Sequence, residues 1–296
     1  MLKELTDNRL ILSALTGCNQ SYSQVQQPSP APKLKVATTF LPMYWFTKAV
    51  VGEEQVEILI PPGTEVHDYQ ATPANVSAIA TANVLVKNGI DFEQFLDGTI
   101  KSAQNAQLKE IDASANIKSL AGNPHVWLDP VLAKQQVANI RDGLVAANPE
   151  NKAIYQSNAT TYIQKLEKLD AEYKQRLQKY PNCTFISFHD AYPYLANRYQ
   201  IKQVAVVEIP EDQLSPTDVQ KAINAVKQYK AKAIFGEPGV ENKLLKALAQ
   251  NINLTLQALD SLESIHNVTF RQLIFASSYI NSNFTAKIRN RSRRFA

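Results

Sequence analysis

Histidine is scarce in this chain, with four in 296 residues. Three of them stand in turn-rich strings: His67 in PPGTEVHDYQATP, His125 in NPHVWLDP and His189 in SFHDAYPYL. Neutral imidazole is the commonest protein ligand for zinc and its neighbours, and loops at strand ends bring distant segments together. The chemistry these residues offer is divalent-metal binding. Taken singly, each histidine is more simply read as a hydrogen-bonded loop residue. The chain has neither the HExxH helix motif nor a CxxC pair to argue otherwise.

The elements that must position them alternate. Short β-branched or apolar runs at 34–40, 56–60 and 83–89, bounded by turn residues, predict strands. Thr72-Pro73 supplies an N-cap and first-turn proline for a helix over 72–82, and Asp129-Pro130 does the same for one running to about Ala147. From Pro149 to Tyr180 there is neither glycine nor internal proline. Apolar residues recur there at Tyr155, Ala159, Tyr162, Leu166, Leu169, Tyr173 and Leu177, the spacing of one helix face. At about 1.5 Å per residue such a helix spans roughly 45 Å, long enough to join two α/β halves. Strand candidates resume at 183–188, 203–209, 232–237 and 254–260, with helices opening near Ser215-Pro216 and at Glu241-Asn242. This order predicts an α/β protein of two parallel-sheet lobes joined by one long rigid helix. Ligands of such sheets gather at the carboxyl ends of strands. His189 directly follows one strand candidate, and His67 follows another after a Pro-Pro-Gly turn.

Composition is that of an ordinary globular chain, 45% hydrophobic and 20% charged. The net charge of +4 owes much to the last ten residues, which hold Lys287, Arg289, Arg291, Arg293 and Arg294. The body carries no basic stripe interleaved with aromatics, so nucleic acid is not an expected partner. Of the two cysteines, Cys183 sits in the apolar run CTFISF and reads as a small buried hydrophobe. Cys18 ends LILSALTGC, which resembles a bacterial lipobox, with a polar, proline-rich stretch after it suited to a tether. The apolar run is short and its flank acidic for a signal, so a plain N-terminal helix stands as the other reading. No segment reaches the roughly 18 apolar residues of a membrane span.

Four strings, GTEVHDYQATP, NPHVWLDP, SFHDAYPYLANRYQI and FGEPGVENKLLKALA with TLQALDSLE, resemble in order the signature segments of the metal-binding solute-binding proteins of ABC transporters. These are the zinc- and manganese-specific periplasmic binding proteins and bacterial lipoproteins, and the resemblance covers roughly 34–263. It implies two α/β lobes joined by a long helix, with metal in the cleft between them. It places ligands at His67, His125, His189 and an acidic fourth position, Asp260. Manganese members typically have a glutamate where this chain has His189. Three imidazoles and a carboxylate suit Zn²⁺ better than Mn²⁺, which prefers oxygen. Asp68, Asp129 and Asp190 lie close in sequence to the three histidines and are candidates to accept their far ring N–H. Asp129 reads equally as a helix N-cap. Glu208 and Glu237 end strands and can face the cleft, although Glu237, before Pro238, fits a loop role as well. Trp127 and Tyr192 read as packing residues.

The expected organisation is a lipoprotein-type signal and tether (1–32), an N-terminal lobe (33–148), the connecting helix (149–180), a C-terminal lobe (181–263) and an atypical tail (264–296). His266, in that tail, is given no metal role. The stretch before His125 lacks the His- and Asp-rich run many zinc members carry. The expected function is capture of Zn²⁺ outside the cytoplasm, in the periplasm or on a lipid anchor at Cys18. Delivery is to an ABC importer with its membrane permease and ATPase, by a monomer that touches membrane only through that anchor. The alternatives are a Mn²⁺-binding member of the same family and, in a different class, a zinc-dependent hydrolase. Nothing in the sequence marks an adhesive surface.

Overall fold

A computed structural model of the chain describes residues 33–52, 54–208, 215–229, 231, 233–237, 246, 249–250 and 255–263. The segments 1–32, with Cys18, and 264–296, and most of the helix expected from Glu241, lie outside the described residues.

The first sheet comprises β1 (Lys35–Thr38), β2 (Gln55–Ile58), β3 (Val84–Lys87) and β4 (Lys109–Asp112), in the order β2-β1-β3-β4 and parallel throughout. The second comprises β5 (Thr184–His189), β6 (Lys202–Val207), β7 (Ala233–Gly236) and β8 (Thr255–Ala258), in the order β6-β5-β7-β8 and also parallel. Inner strands of parallel sheets are covered on both faces and need continuous apolar runs. Accordingly Val84, Leu85 and Val86 are fully buried, as are Ile186 and Phe188. Each strand expected from the sequence forms, shifted or trimmed at its ends. Only β4 had no signal, because Lys-Glu-Ile-Asp is an edge strand with one buried side chain, Ile111.

Around the first sheet lie α1 (Leu41–Val51), α2 (Pro73–Thr81), α3 (Leu96–Ala103) and α4 (Pro130–Ala147). The α2 start is a capping box: the Thr72 hydroxyl accepts from Asn75 N–H while Asn75 Oδ1 accepts from Thr72 N–H. Helix α1 was not expected, because it is buried on several sides and its apolar residues show no single-face period.

The long helix α5 (Lys152–Leu177) falls inside the interval expected for it, after a 3-10 turn over Pro149–Asn151. At about 1.5 Å per residue its 26 residues span roughly 39 Å. Its first half packs on the N-terminal lobe, where Tyr162 meets Phe46 edge-on at 5.8 Å and Asn158 donates to Val50 O. Its second half meets the short helix α6 (Pro193–Arg198) region: Tyr173 stacks edge-on to Tyr199 at 5.3 Å, and Tyr199 donates to Asp170. The same helix therefore braces both lobes. The remaining described helix, α7 (Pro216–Tyr229), covers the second sheet through Ala222 and Ala225.

The loop after β3 turns on Asn88-Gly89. Gly89 has φ +85°, and the Asp112 carboxylate fills the space a Cβ would need, so any other residue is strained there. Glu93 locks this turn, accepting from Asn88 N–H (2.6 Å), Gly89 N–H (3.1 Å) and the Thr39 hydroxyl (2.7 Å). Burial pushes the Glu93 carboxyl up to about 7. A folded value above the unfolded 4.5 means that folding favours the proton, so this stability is complete below about pH 4.5 and lost as pH rises through 7. The loss amounts to roughly 3 kcal/mol. Denaturant unfolding of the metal-free protein across pH 5–8 is expected to show it, and in Glu93→Gln that part of the slope disappears.

Candidate metal centre

Segments that leave the carboxyl ends of strands in both sheets contribute to one cluster. His67 comes from the loop after β2, His125 from the segment between β4 and α4, His189 is the last residue of β5, and Glu263 follows β8. One donor atom from each of the four lies within 4.8 Å of all the others. The imidazole rings are 4.7 to 5.5 Å apart, centre to centre. The side chains of His125, His189 and Glu263 are at most 3% exposed, and that of His67 is 10% exposed, so the cluster meets solvent on the His67 side.

The Nε2 atoms of all three histidines are buried with no hydrogen-bond partner, and so is Glu263 Oε1. Glu263 Oε1 is 2.8 Å from His125 Nε2 and Oε2 is 3.4 Å from His67 Nε2, but these contacts are out of line for hydrogen bonds. Buried polar atoms are almost always satisfied. Four orphans converging on one point are what a cation would satisfy. Zinc at about 2.0–2.1 Å from each of four tetrahedral donors sets neighbouring donors about 3.3 Å apart, so the widest separations, at up to 4.8 Å, close on binding.

The ring orientations are set from behind. His125 Nδ1 lies 2.9 Å from Asn123 Oδ1, and the amide orientation is fixed because Asn123 Nδ2 donates to Asp190 O at 2.7 Å. His189 Nδ1 lies 2.6 Å from Glu237 Oε1. Both arrangements leave Nε2 facing the cluster. Phe92 packs edge-on against His67 at 5.2 Å, and Trp127 packs against His125 at 5.1 Å. Burial lowers the pKa values of His125 and His189, outweighing the pull of Glu263. For His67 burial also pulls down, but the adjacent Glu263 carboxylate wins and the pKa is raised. Burial would raise Glu263, yet the charges and contacts of His125 and His67 hold it well below the ordinary range. Glu237 goes the other way, raised well above that range by burial and by the charge of Glu263.

The structure sets a different carboxylate, Glu263, beside the histidines from the one expected. Asp260 is not in the cluster. Its Oδ1 accepts Leu262 N–H at 2.8 Å, capping a turn in which Leu262 takes φ +69° and which swings Glu263 into the cleft. Burial raises the Asp260 carboxyl to about 7. Asp68 and Glu208 are exposed. Asp129 caps α4 through Val131 N–H and pairs with Arg198. Asp190 is half-buried near His125 and His189, and only its backbone carbonyl is tied to the site, through Asn123. The partners that do meet the imidazoles are an amide, Asn123, two residues from His125, and Glu237, distant in sequence. Trp127 and Tyr192 are buried packing residues as expected, and each also donates a hydrogen bond to the turn after β8.

Two parallel α/β lobes braced by one long helix, with a buried three-imidazole, one-carboxylate cluster where strand ends meet, define a solute-binding protein of the rigid-helix, metal-binding class. The chain matches the family described as zinc-uptake complex component A, periplasmic (ZnuA), over residues 36–281, and it belongs to that family. The match runs past Glu263 into the stretch read from sequence as an atypical tail. The chain is 32% identical over 272 residues to the high-affinity zinc uptake system protein ZnuA of Bacillus subtilis, covering 85% of each chain. It is also 32% identical over 254 residues to the zinc-binding lipoprotein AdcA of Streptococcus pneumoniae, where it covers 79% of this chain but spans only 51% of AdcA. The Zn(II)-bound ZnuA-like domain of that AdcA superposes with a TM-score of 0.76 at 31% identity, covering 86% of this chain and 98% of that domain. The family is the substrate-binding part of a transporter and not an enzyme. Among the described residues no helix is long and apolar enough to cross a membrane.

Proposed function

We propose that this chain captures one Zn²⁺ through His67, His125, His189 and Glu263 and hands it to an ABC importer made of a membrane permease and its ATPase. The carrying observation is the set of four buried donor atoms, mutually close and otherwise unpartnered. The donor set favours zinc over manganese, because imidazole suits Zn²⁺ while Mn²⁺ calls for more oxygen. The fourth donor fills the position that a zinc hydrolase keeps open for water, which supports carriage over catalysis. The protein acts as a monomer tethered to the membrane surface through a lipid on Cys18.

Equilibrium dialysis against Zn²⁺ is expected to give one ion per chain, retained in preference to Mn²⁺ and lost in His67→Ala. Zinc binding indifferent to that substitution would sink the proposal. Acid competes with the metal, since each imidazole must be neutral to bind. The raised His67 takes up its proton first as pH falls, and His125 and His189 follow only at lower pH. Affinity is expected to fall from about pH 7, by about tenfold per pH unit while one proton must leave and more steeply below. An affinity that stays flat between pH 7 and 5 would contradict a three-histidine site.

A further inference from the structure

Glu237 uses its two oxygens on two different ligand-bearing segments. Oε1 meets His189 Nδ1 at 2.6 Å, and Oε2 accepts the Ser261 hydroxyl at 2.7 Å. Ser261 is fully buried in the turn that carries Glu263, and its backbone carbonyl accepts Trp127 Nε1–H at 2.8 Å. Trp127 in turn lies two residues after His125 and packs on its ring. A buried chain of hydrogen bonds thus runs from the His125 segment of one lobe, through the Glu263 turn, to His189 of the other. Its one acidic member is Glu237, whose side chain is 5% exposed.

We infer that Glu237 is a positioning residue for zinc: it holds His189 with Nδ1–H turned away from the metal and fixes the Glu263 turn through Ser261. A carboxylate accepting the far N–H of a zinc-bound histidine orients the ring and raises its basicity. Glutamate reaches both partners, whereas Asp190, next to His189 in sequence, has no hydrogen bond to its ring in this structure.

This inference rests on the four-ligand site proposed above, and the experiment separates the two. Zinc affinity of the full chain is measured by chelator competition for the wild type, Glu237→Gln and Ser261→Ala, alongside ¹⁵N-resolved NMR of the zinc-bound histidines. The wild type is expected to show a His189 Nδ1–H resonance shifted far downfield by the carboxylate. Glu237→Gln keeps the side-chain shape; its affinity is expected to drop about 10- to 100-fold, with that resonance moving upfield. Ser261→Ala severs only the second arm, so affinity drops less while the His189 resonance stays in place. This variant also carries the test if Glu237→Gln does not fold. Wild-type protein that binds no zinc would overturn the four-ligand site itself. Zinc-binding wild type with unchanged affinity and an unmoved His189 resonance in Glu237→Gln would overturn the role of Glu237, and so would Ser261→Ala with wild-type affinity.

Discussion

Replacing Glu263 with alanine is expected to weaken zinc binding by about a hundredfold or more, while Asp260→Asn changes it by less than about threefold. Zinc held by four protein donors is bound with roughly 10–16 kcal/mol, so one donor accounts for about 3 kcal/mol, or two orders of magnitude. Glu263 is fully within the cluster, 2.8 Å from His125 Nε2. Asp260 instead accepts Leu262 N–H, and asparagine offers the same Oδ1 acceptor, so the turn that aims Glu263 survives. Competition with a chromophoric chelator at pH 7.5 reads both variants. If Asp260→Asn proved as damaging as Glu263→Ala, the carboxylate assignment made from the geometry would be wrong.

That pair of residues also shows where sequence stopped informing. The three histidines were legible because each sits in a turn-rich string after or near a strand, and parallel sheets gather such loops at one end. The string LDSLE offers two acids three residues apart, and which one faces the metal depends on the path of a single turn. That turn needs Leu262 at φ +69°, a conformation leucine does not advertise. The long helix was legible for the opposite reason: a glycine-free stretch with a steady apolar period has few other folds open to it. Asp129 could cap a helix or orient a histidine on sequence grounds, and the structure gives it the cap. Glu237 was named from sequence only as a strand-end residue able to face the cleft, and Asn123 was not named, since hydrogen bonds behind a ligand are made by whatever the fold brings there, at separations of 48 and two residues here.

The second large effect concerns Asp129 and Arg198, which join the α4 start in one lobe to α6 in the other. Asp129 is 2% exposed and receives Arg198 Nε at 2.9 and 2.7 Å, one on each oxygen. Arg198→Ala leaves that carboxylate buried with only its backbone cap bonds at the start of α4. Breaking a buried pair from one side costs about 3–5 kcal/mol, and because the Arg198 side chain is 31% exposed, water can reach the gap and the lower end applies. A metal-free chain of this size should then melt roughly 6–12 °C lower by calorimetry. One zinc per chain is still expected to bind and to restore part of the loss by mass action. The decisive arm is Asp129→Asn combined with Arg198→Ala. Asparagine keeps the cap and removes the stranded charge, so the double variant should be more stable than Arg198→Ala alone. A double variant that instead loses the sum of the two single effects would show that the pair is not coupled and that the lobes are held together elsewhere.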